Sequence, residues 1–299
     1  MGAEWITALQ AACPEVEVRL GEPMAEHVSF RLGGPAAAMA FPNREEQVRQ
    51  LLAFCDAQNI TPLILGAGTN VLPPDGGLET LVLCLKGGLM TLERQGDCIV
   101  VGAGVTMAQA AAFAADQGLA GLEFAHGIPG TMGGGVYMNA GAYGGELCQV
   151  CVETTVLRDG ELVTVAGEDQ GFAYRRSAFQ NDGSVILRTV CRLTPDDPVV
   201  IRERMRDLAQ RRRNSQPLEL PSAGSTFKRP VGGYAAALIE QAGLKGFRVG
   251  GASVSTKHAG FVVNDGGATC ADVLALIAAV QKKVLEQSGI QLEPEVRIL

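Results

Sequence analysis

The sequence predicts a mixed α/β or α+β protein of about two domains. Helices with caps written in the sequence alternate with short apolar runs, and 299 residues are many for a single core. Asn43 precedes REEQVRQLLAFCDAQN, with Glu46 three residues on and Val48, Leu51, Leu52 and Cys55 along one face. A helix capped by Asn43 is expected there. Thr106 and Gln109 open MAQAAAFAADQ, which Gly118 ends; Thr269 and Asp272 open CADVLALIAAVQKKVLEQS, closed by Gly289. Strand-like runs lie between, at 62–66, 80–86, 98–104, 151–157 and 184–193. TPDDP (194–198) breaks the last of them and reads as a domain hinge. The helix expected after it sets Ile201, Met205 and Leu208 on one face. Arg202, Arg204 and Arg206 take the other, followed by Arg211, Arg212 and Arg213; a solvated basic face accounts for them more simply than a phosphate-binding stripe.

Composition narrows the function. The chain is 47% hydrophobic and 19% charged, as folded soluble proteins are, and its net charge of −7 offers no basic surface for nucleic acid. The N-terminus MGAEWITALQAA has no leading cation, so no signal peptide is expected, and Ile6 stands where acylation of Gly2 would call for Ser or Thr. Residues 98–115 form the longest uncharged apolar stretch, but a GAG triplet, Thr106 and Gln109 exclude a membrane span. Eight scattered cysteines without an export signal read as reduced core residues; the C-x-x-C of Cys148 and Cys151 lacks the second pair or flanking His of a metal site. A cytoplasmic protein with no metal and no obligatory protein partner is expected.

Residues 127–145, GIPGTMGGGVYMNAGAYGG, hold eight glycines and no charge. Their Ile, Pro, Met, Val and Tyr anchors are foreign to a flexible linker, so they read as an ordered loop whose bare amides face a ligand. LGAGTN (65–70) follows a strand, but Pro73 and Pro74 forbid the helix of a Rossmann phosphate site. VGAGVTM (101–107) leads into a helix, yet Met107 stands in place of the third glycine. Two glycine loops without phosphate-binding helices can still cradle a pyrophosphate as nests, with Thr69 and Asn70 as added donors. Neither loop contains Lys or Arg, so binding would rest on backbone dipoles.

Seven segments then fall in order: SFRLGGPA (29–36), LGAGTNVL (65–72), GIPGTMGGGVYMNAGAYGGE (127–146), YRRSAFQ (174–180), AGSTFKRP (223–230), GGASVSTKHAGFVVN (250–264) and EPEVRIL (293–299). Together they resemble the UDP-N-acetylenolpyruvoylglucosamine reductase family, flavoenzymes of peptidoglycan precursor synthesis, from about residue 26 onward. The length is similar to the shorter members, which lack an inserted tyrosine-bearing substrate loop. Thr69 replaces a usual serine, Ala67 a common glycine and Gly135 a frequent alanine, all keeping the hydroxyl or the small size.

The resemblance implies an α+β fold. An FAD-binding domain of the vanillyl-alcohol-oxidase type would span 1–197 in two subdomains (about 1–78 and 79–197), joined by a returning last strand, 291–299. A substrate-binding domain would span 198–290. The resemblance assigns FAD to Gly66, Ala67, Gly68, Thr69 and Asn70 in the first loop and to Gly127, Ile128, Pro129, Gly130 and Thr131 in the second. Gly133, Gly134, Asn139, Gly141 and Ala142 complete the set, with glycine wherever a Cβ would strike the cofactor. Non-covalent binding is expected, since neither loop contains His or Cys, although His126 and Cys148 border the second.

The implied reaction reduces the vinyl ether of UDP-N-acetylglucosamine enolpyruvate to UDP-N-acetylmuramate. NADPH reduces FAD, and flavin N5 gives hydride to the substrate's methylene carbon. Negative charge then develops beside the carboxylate, so one group must stabilise it and another must protonate the carbon. By the resemblance Arg175, with Tyr174, grips the carboxylate, as a guanidinium can with two parallel N–H bonds. Ser225 matches the proton donor and Glu295 a protonated hydrogen-bond donor. On residues alone, Ser225 is a turn or cap serine and Glu295 an ordinary strand-end glutamate. Lys228, Arg229 and Lys257 are candidates for the UDP pyrophosphate, and His258 and Asn264 for the substrate's surroundings. Two other readings stand beside this one: an FAD-dependent oxidase or dehydrogenase of the same fold, and a non-catalytic flavin or nucleotide binder. GSTFKRP and EPEVRIL favour the reductase over the first, and Arg175, Ser225 and Glu295 together disfavour the second.

Overall fold

The computed structural model describes residues 4–299; Met1 and Gly2, part of the N-terminal stretch read for a leader or acylation site, lie outside them. The chain forms two compact units. The first comprises residues up to Leu20, 38–67 and 80–212, and the second 21–37, 68–79 and 213–299. In the C-terminal half the boundary between these units falls at 212/213, and the expected domain boundary was 197/198. TPDDP is no hinge: Thr194 and Pro195 pair with Ala120 and Leu119, and Asp196 N–H donates to Gly118 O. The helix Pro198–Ser215 follows without a break in the first unit's chain until its last turn.

One sheet orders its strands Glu17–Pro23, Pro35–Phe41, Leu78–Cys84 and Leu63–Leu65, the last pair parallel. The first two were not anticipated. PAAAMAF is poor in β-branched residues, but Ala36, Ala38, Met39 and Ala40 are buried, and small side chains suit a strand covered on both faces. The helix Glu45–Ala57 packs on this sheet through Leu51, Phe54 and Cys55, against Ala38, Leu81 and Leu83. It starts one residue later than expected. Arg44 occupies the N-cap without a side-chain bond, and Asn43 N–H donates to Gln47 Oε1 at 2.8 Å. Gln47 is buried and also donates to Glu15 O at 3.0 Å, so it takes the role given to Glu46, which pairs with Arg49 on the surface.

The other sheet of the first unit is antiparallel throughout, in the order Glu161–Ala166, Cys151–Arg158, Val185–Arg192, Cys98–Gly102, Leu92–Gln95. Val101, Val156 and Leu187 from its strands share a core with Met107, Ala111, Met132 and Val136 from two helices. The first of these helices, Met107–Asp116, has the expected box. Thr106 Oγ1 accepts from Gln109 N at 3.1 Å, Gln109 Oε1 accepts from Thr106 N at 3.0 Å, and Gly118 follows with φ +66°. Residues 98–115 are thus strand, turn and helix. No helix among the described residues is long and apolar enough to cross a membrane.

In the second unit, the strands Arg248–Val249, Ala252–Val254 and Val262–Asn264 form an antiparallel sheet covered by the helix Cys270–Ser288. That helix buries Val273, Leu276, Ile277, Val280 and Val284, with the expected Thr269–Asp272 box and Gly289 at φ 70°. The C-terminal strand Arg297–Ile298 pairs in parallel with Val71–Leu72, which belongs to the same unit. All eight cysteines are free; Cys151 and Cys191 face each other across strands with sulfurs 3.7 Å apart.

The two caps can be separated by mutation. Thr106→Ala should cost about 1 kcal/mol by urea unfolding, whereas Asn43→Ala should stay within about 0.5 kcal/mol because its side chain caps nothing.

Candidate functional site

The glycine-rich run is not all loop. Residues Met132–Met138 form a helix, capped by Thr131 Oγ1 accepting from Gly134 N at 3.4 Å and ended by Asn139 at φ 43°. The second glycine loop therefore does lead into a helix, contrary to expectation; three successive glycines conceal it. Tertiary bonds hold it instead. Met107 N–H donates to Gly130 O (3.0 Å), Met132 N–H to Val105 O (2.7 Å) and Gly133 N–H to Ala103 O (3.0 Å). A Cβ on Gly133 would stand 2.8 Å from Ala103 Cβ, and one on Gly135 2.8 Å from Met107 Sδ. These two glycines leave room for packing within the protein, whatever else Gly133 meets. Gly134 is exposed, and a Cβ there would meet only Thr131 Oγ1, at 3.5 Å.

The loops nevertheless present bare backbone. The amides of Gly127, Gly130 and Thr131 donate to no protein acceptor among the described residues, nor do those of Gly66, Ala67, Gly68 and Asn70. Ile128 N–H closes a turn on Ala125 O, and Pro129 is exposed. Within the first unit the two loops touch, since a Cβ on Gly66 would lie 2.5 Å from Thr131 Oγ1. Unpaired N–H groups gathered on such turns form an anion nest.

Asn139 holds the next piece with its side chain. It is buried, donates from Nδ2 to Ala173 O (3.0 Å) and Glu146 Oε2 (3.1 Å), and accepts at Oδ1 from Cys148 N (2.9 Å). Ala173 and Arg176 exchange two backbone bonds, which puts Tyr174 and Arg175 at the tip of a turn. Arg175 has φ 54°, rare for a side-chain-bearing residue, so surrounding bonds must hold it there. Its Nη2 donates to Gly141 O (3.1 Å), its carbonyl accepts from Gln180 Nε2 (3.1 Å), and its guanidinium lies 5.1 Å from the Tyr174 ring centre. Gly141 is small for the protein's sake, a Cβ there falling 2.5 Å from Glu146 Cγ, and Ala142 pairs with Gly145.

In the second unit, Ser225 and Glu295 come together. Glu295 N–H donates to Thr226 O and Lys228 N–H to Glu293 O, both at 2.8 Å, so 226–228 and 293–295 run side by side. Asn70 Nδ2 donates to Glu295 O at 3.2 Å, and Asn70 O accepts from Arg297 N at 3.0 Å, tying the first loop to this strand. Thr226 is buried and its Oγ1 accepts from Val262 N at 2.9 Å; Ser225 beside it is exposed, and its hydroxyl bonds nothing among the described residues.

The expected substrate residues fare differently. Asn264 is buried with its amide engaged, Nδ2 donating to Phe30 O (3.0 Å) and Oδ1 accepting from Gly266 N (2.9 Å) and Ala268 N (3.1 Å), so it clamps the surrounding backbone. His258 accepts from Gly260 N at Nδ1 and packs edge-on against Phe261; burial pulls its pKa below the usual histidine value, keeping it neutral at pH 7. Lys228 pairs with Glu293 at 3.3 Å, Lys257 donates to Arg213 O at 2.8 Å, and Arg229 lies over the Tyr234 ring at 4.0 Å. These three are surface cations that a ligand could recruit.

Residues 36–166 match the model of an FAD binding domain, and residues 216–299 match that of the UDP-N-acetylenolpyruvoylglucosamine reductase C-terminal domain. The UDP-N-acetylenolpyruvoylglucosamine reductase of Syntrophomonas wolfei is 44% identical over 287 residues, 96% of each chain. The chain belongs to the UDP-N-acetylenolpyruvoylglucosamine reductase family. The reductase of Agathobacter rectalis is also 44% identical, over the whole of this chain and 99% of that one. The crystal structure of the Thermus caldophilus reductase superposes with a TM-score of 0.81 at 33% identity, covering 95% of this chain and 98% of that one. Physcomitrella patens BBE-like 1, at 15% identity and a TM-score of 0.52, shares the fold over 64% of this chain. The expected class, an FAD-binding domain of the vanillyl-alcohol-oxidase type plus an α+β C-terminal domain, is borne out, and the protein is an oxidoreductase. Bare amides such as those of Gly66, Ala67, Gly127, Gly130 and Thr131, all in the first unit, would suit the pyrophosphate of FAD.

Sequence reasoning passed over the packing role of Gly133 and Gly135 and the clamping by Asn139 and Asn264. The clamps carry no signal beyond a buried Asn in a turn. Two substitutions in the second loop test its anatomy. Gly133→Val should lower the stability of the flavin-free protein by about 3 kcal/mol through overpacking. Gly134→Ala should raise it by about 0.5–1 kcal/mol, and thermal unfolding of the flavin-free proteins gives the sign of each.

Proposed function

We propose that the protein reduces UDP-N-acetylglucosamine enolpyruvate to UDP-N-acetylmuramate in peptidoglycan precursor synthesis, with NADPH as hydride donor and FAD held without a covalent bond. The identity across 96% of both chains, with Arg175, Ser225 and Glu295 all in place, carries this reading. FAD would supply the hydride that reaches the methylene carbon. The carbon–carbon double bond becomes a methyl group and a carbon that needs one proton, and the residues serve that change.

Arg175, with one nitrogen on Gly141 O, would turn its guanidinium charge to the substrate carboxylate as charge builds beside it. Because its backbone is fixed by the turn and by Gln180, little ordering would remain to be done on binding. Ser225 is poised as the proton donor by an exposed hydroxyl with no competing partner, on a segment pinned by its buried neighbour Thr226. Glu295, held through both its N–H and its C=O, would stabilise the same developing charge as a protonated donor. Lys228, Arg229 and Lys257 would exchange their surface contacts for the sugar nucleotide's phosphates.

Two measurements test this. Acid precipitation should release all flavin into the supernatant; flavin left on the protein would contradict non-covalent binding. In stopped flow, Ser225→Ala should keep NADPH-dependent bleaching near the normal rate, while reoxidation by the enolpyruvyl sugar slows by roughly 10²–10⁴-fold, as for a lost general acid. Normal reoxidation would remove Ser225 from the mechanism, and equal damage to both halves would point to a displaced flavin.

A further inference from the structure

We infer that Arg212 is the cation both glycine loops lack, its guanidinium binding an anionic group of the flavin dinucleotide. The inference rests on the FAD reading above. Helix Pro198–Ser215 carries its arginines in two different ways. Arg202 pairs with Asp116, Arg204 with Glu123 and Asp196, and Arg211 with Asp207, as a solvated face would. Arg212 follows Ile201 by eleven residues, a net rotation of about 20° at 100° per residue, so it stands on the apolar stripe of Ile201, Met205 and Leu208. That stripe is buried at Ile201 and Met205.

The side chain is accordingly half-buried, and among the described residues no carboxylate pairs with it. Its Nε is buried and bonds nothing among the described residues. Burial pulls its pKa below the usual arginine value, with the Tyr143 hydroxyl acting in the opposite sense. The stem and head lie against the first residue of GIPGT, since a Cβ on Gly127 would stand 3.2 Å from Arg212 Cδ and 3.6 Å from Nη1. Gly127 is glycine to leave that room. His126 Nδ1, one residue earlier, is also buried without a partner. Two unsatisfied side-chain nitrogens and the free amides of Gly127, Gly130 and Thr131 thus border one segment of the first unit. A half-buried cation with an unbonded nitrogen is costly, and an anionic ligand is what compensates it.

The anion has two sources on one cofactor: the pyrophosphate, charged in both redox states, or the N1–C2=O edge of the ring, charged after reduction. Arg212→Met and Arg212→Lys, each compared with the parent as flavin-free and FAD-reconstituted protein, test the inference. Flavin-free Arg212→Met should unfold at a temperature no lower than the parent, because a half-buried unpaired charge has gone. A pyrophosphate contact predicts at least tenfold weaker binding of oxidised FAD with an unchanged midpoint potential. A ring contact predicts near-normal binding of oxidised FAD and a potential lowered by about 30 mV per tenfold selective loss of reduced-flavin affinity. In either case Arg212→Lys should recover part of the loss. Unaltered affinity and potential in Arg212→Met would overturn the inference, as would a flavin-free protein destabilised as much as the loaded one, the mark of a structural arginine. A parent protein that takes up no FAD would overturn the cofactor reading as well, and is read separately from the variants.

Discussion

Three backbone hydrogen bonds join 103–107 to 130–133, and the glycine loops keep their shape only while that seam is closed. It uses the carbonyls of Ala103, Val105 and Gly130 and leaves the amides of Gly130 and Thr131 directed elsewhere. It also sets two helix starts beside each other, since Thr106 and Thr131 pair across it and each caps its own helix. Close approach of two backbones demands the missing Cβ of Gly133. Glycine in this run is therefore explained twice, by protein packed against protein and by amides left bare, and the two explanations belong to different residues.

Each unit holds its functional turn with an asparagine whose amide is fully engaged. Asn139 ends the glycine helix in the left-handed region and grips Ala173 O, fixing the turn that carries Arg175. Asn264 grips Phe30 O with its donor while its acceptor takes Gly266 N and Ala268 N, joining SFRLGGPA to the last helix's approach. Asparagine suits both places because one planar group donates and accepts at once. Aspartate could not donate to Ala173 O, and would set its own charge against Glu146. Such a motif residue positions the turns around it, whatever else it meets.

The elements that were legible are those whose signals are local. The Thr106 and Thr269 boxes, Gly118 and Gly289 depend on a few neighbouring residues, and each stands as read. The glycine helix 132–138 and the alanine strand 35–41 were not legible, because their stability comes from tertiary contact against the grain of propensity. The cap expected at Asn43 fell to Arg44, and Gln47, whose burial could not be seen in the sequence, took the role expected of Glu46. The family resemblance brought Ser225 and Glu295 into consideration. Their adjacency in the second unit comes from the pairing of 226–228 with 293–295, which no spacing along the chain encodes.

Arg212 differs from its basic neighbours in being half-buried and unpaired, and the reason lies in how the helix is divided. Reading 202–213 as a single basic stretch weighs charge alone, whereas helical phase separates its members. Arg202, Arg204 and Arg211 each reach an acid, Arg204 meeting Glu123 in the short turn that precedes GIPGT. Exposed pairs of this kind add little stability, about 0–1 kcal/mol each; Arg211 pairs within the helix, while Arg202 and Arg204 reach Asp116 and Glu123 on neighbouring elements. The residue eleven past Ile201 shares its phase and faces inward, beside Gly127. Helical phase thus sets the unpaired arginine apart from the paired ones, and a loop without a charge of its own obtains one from a neighbouring helix.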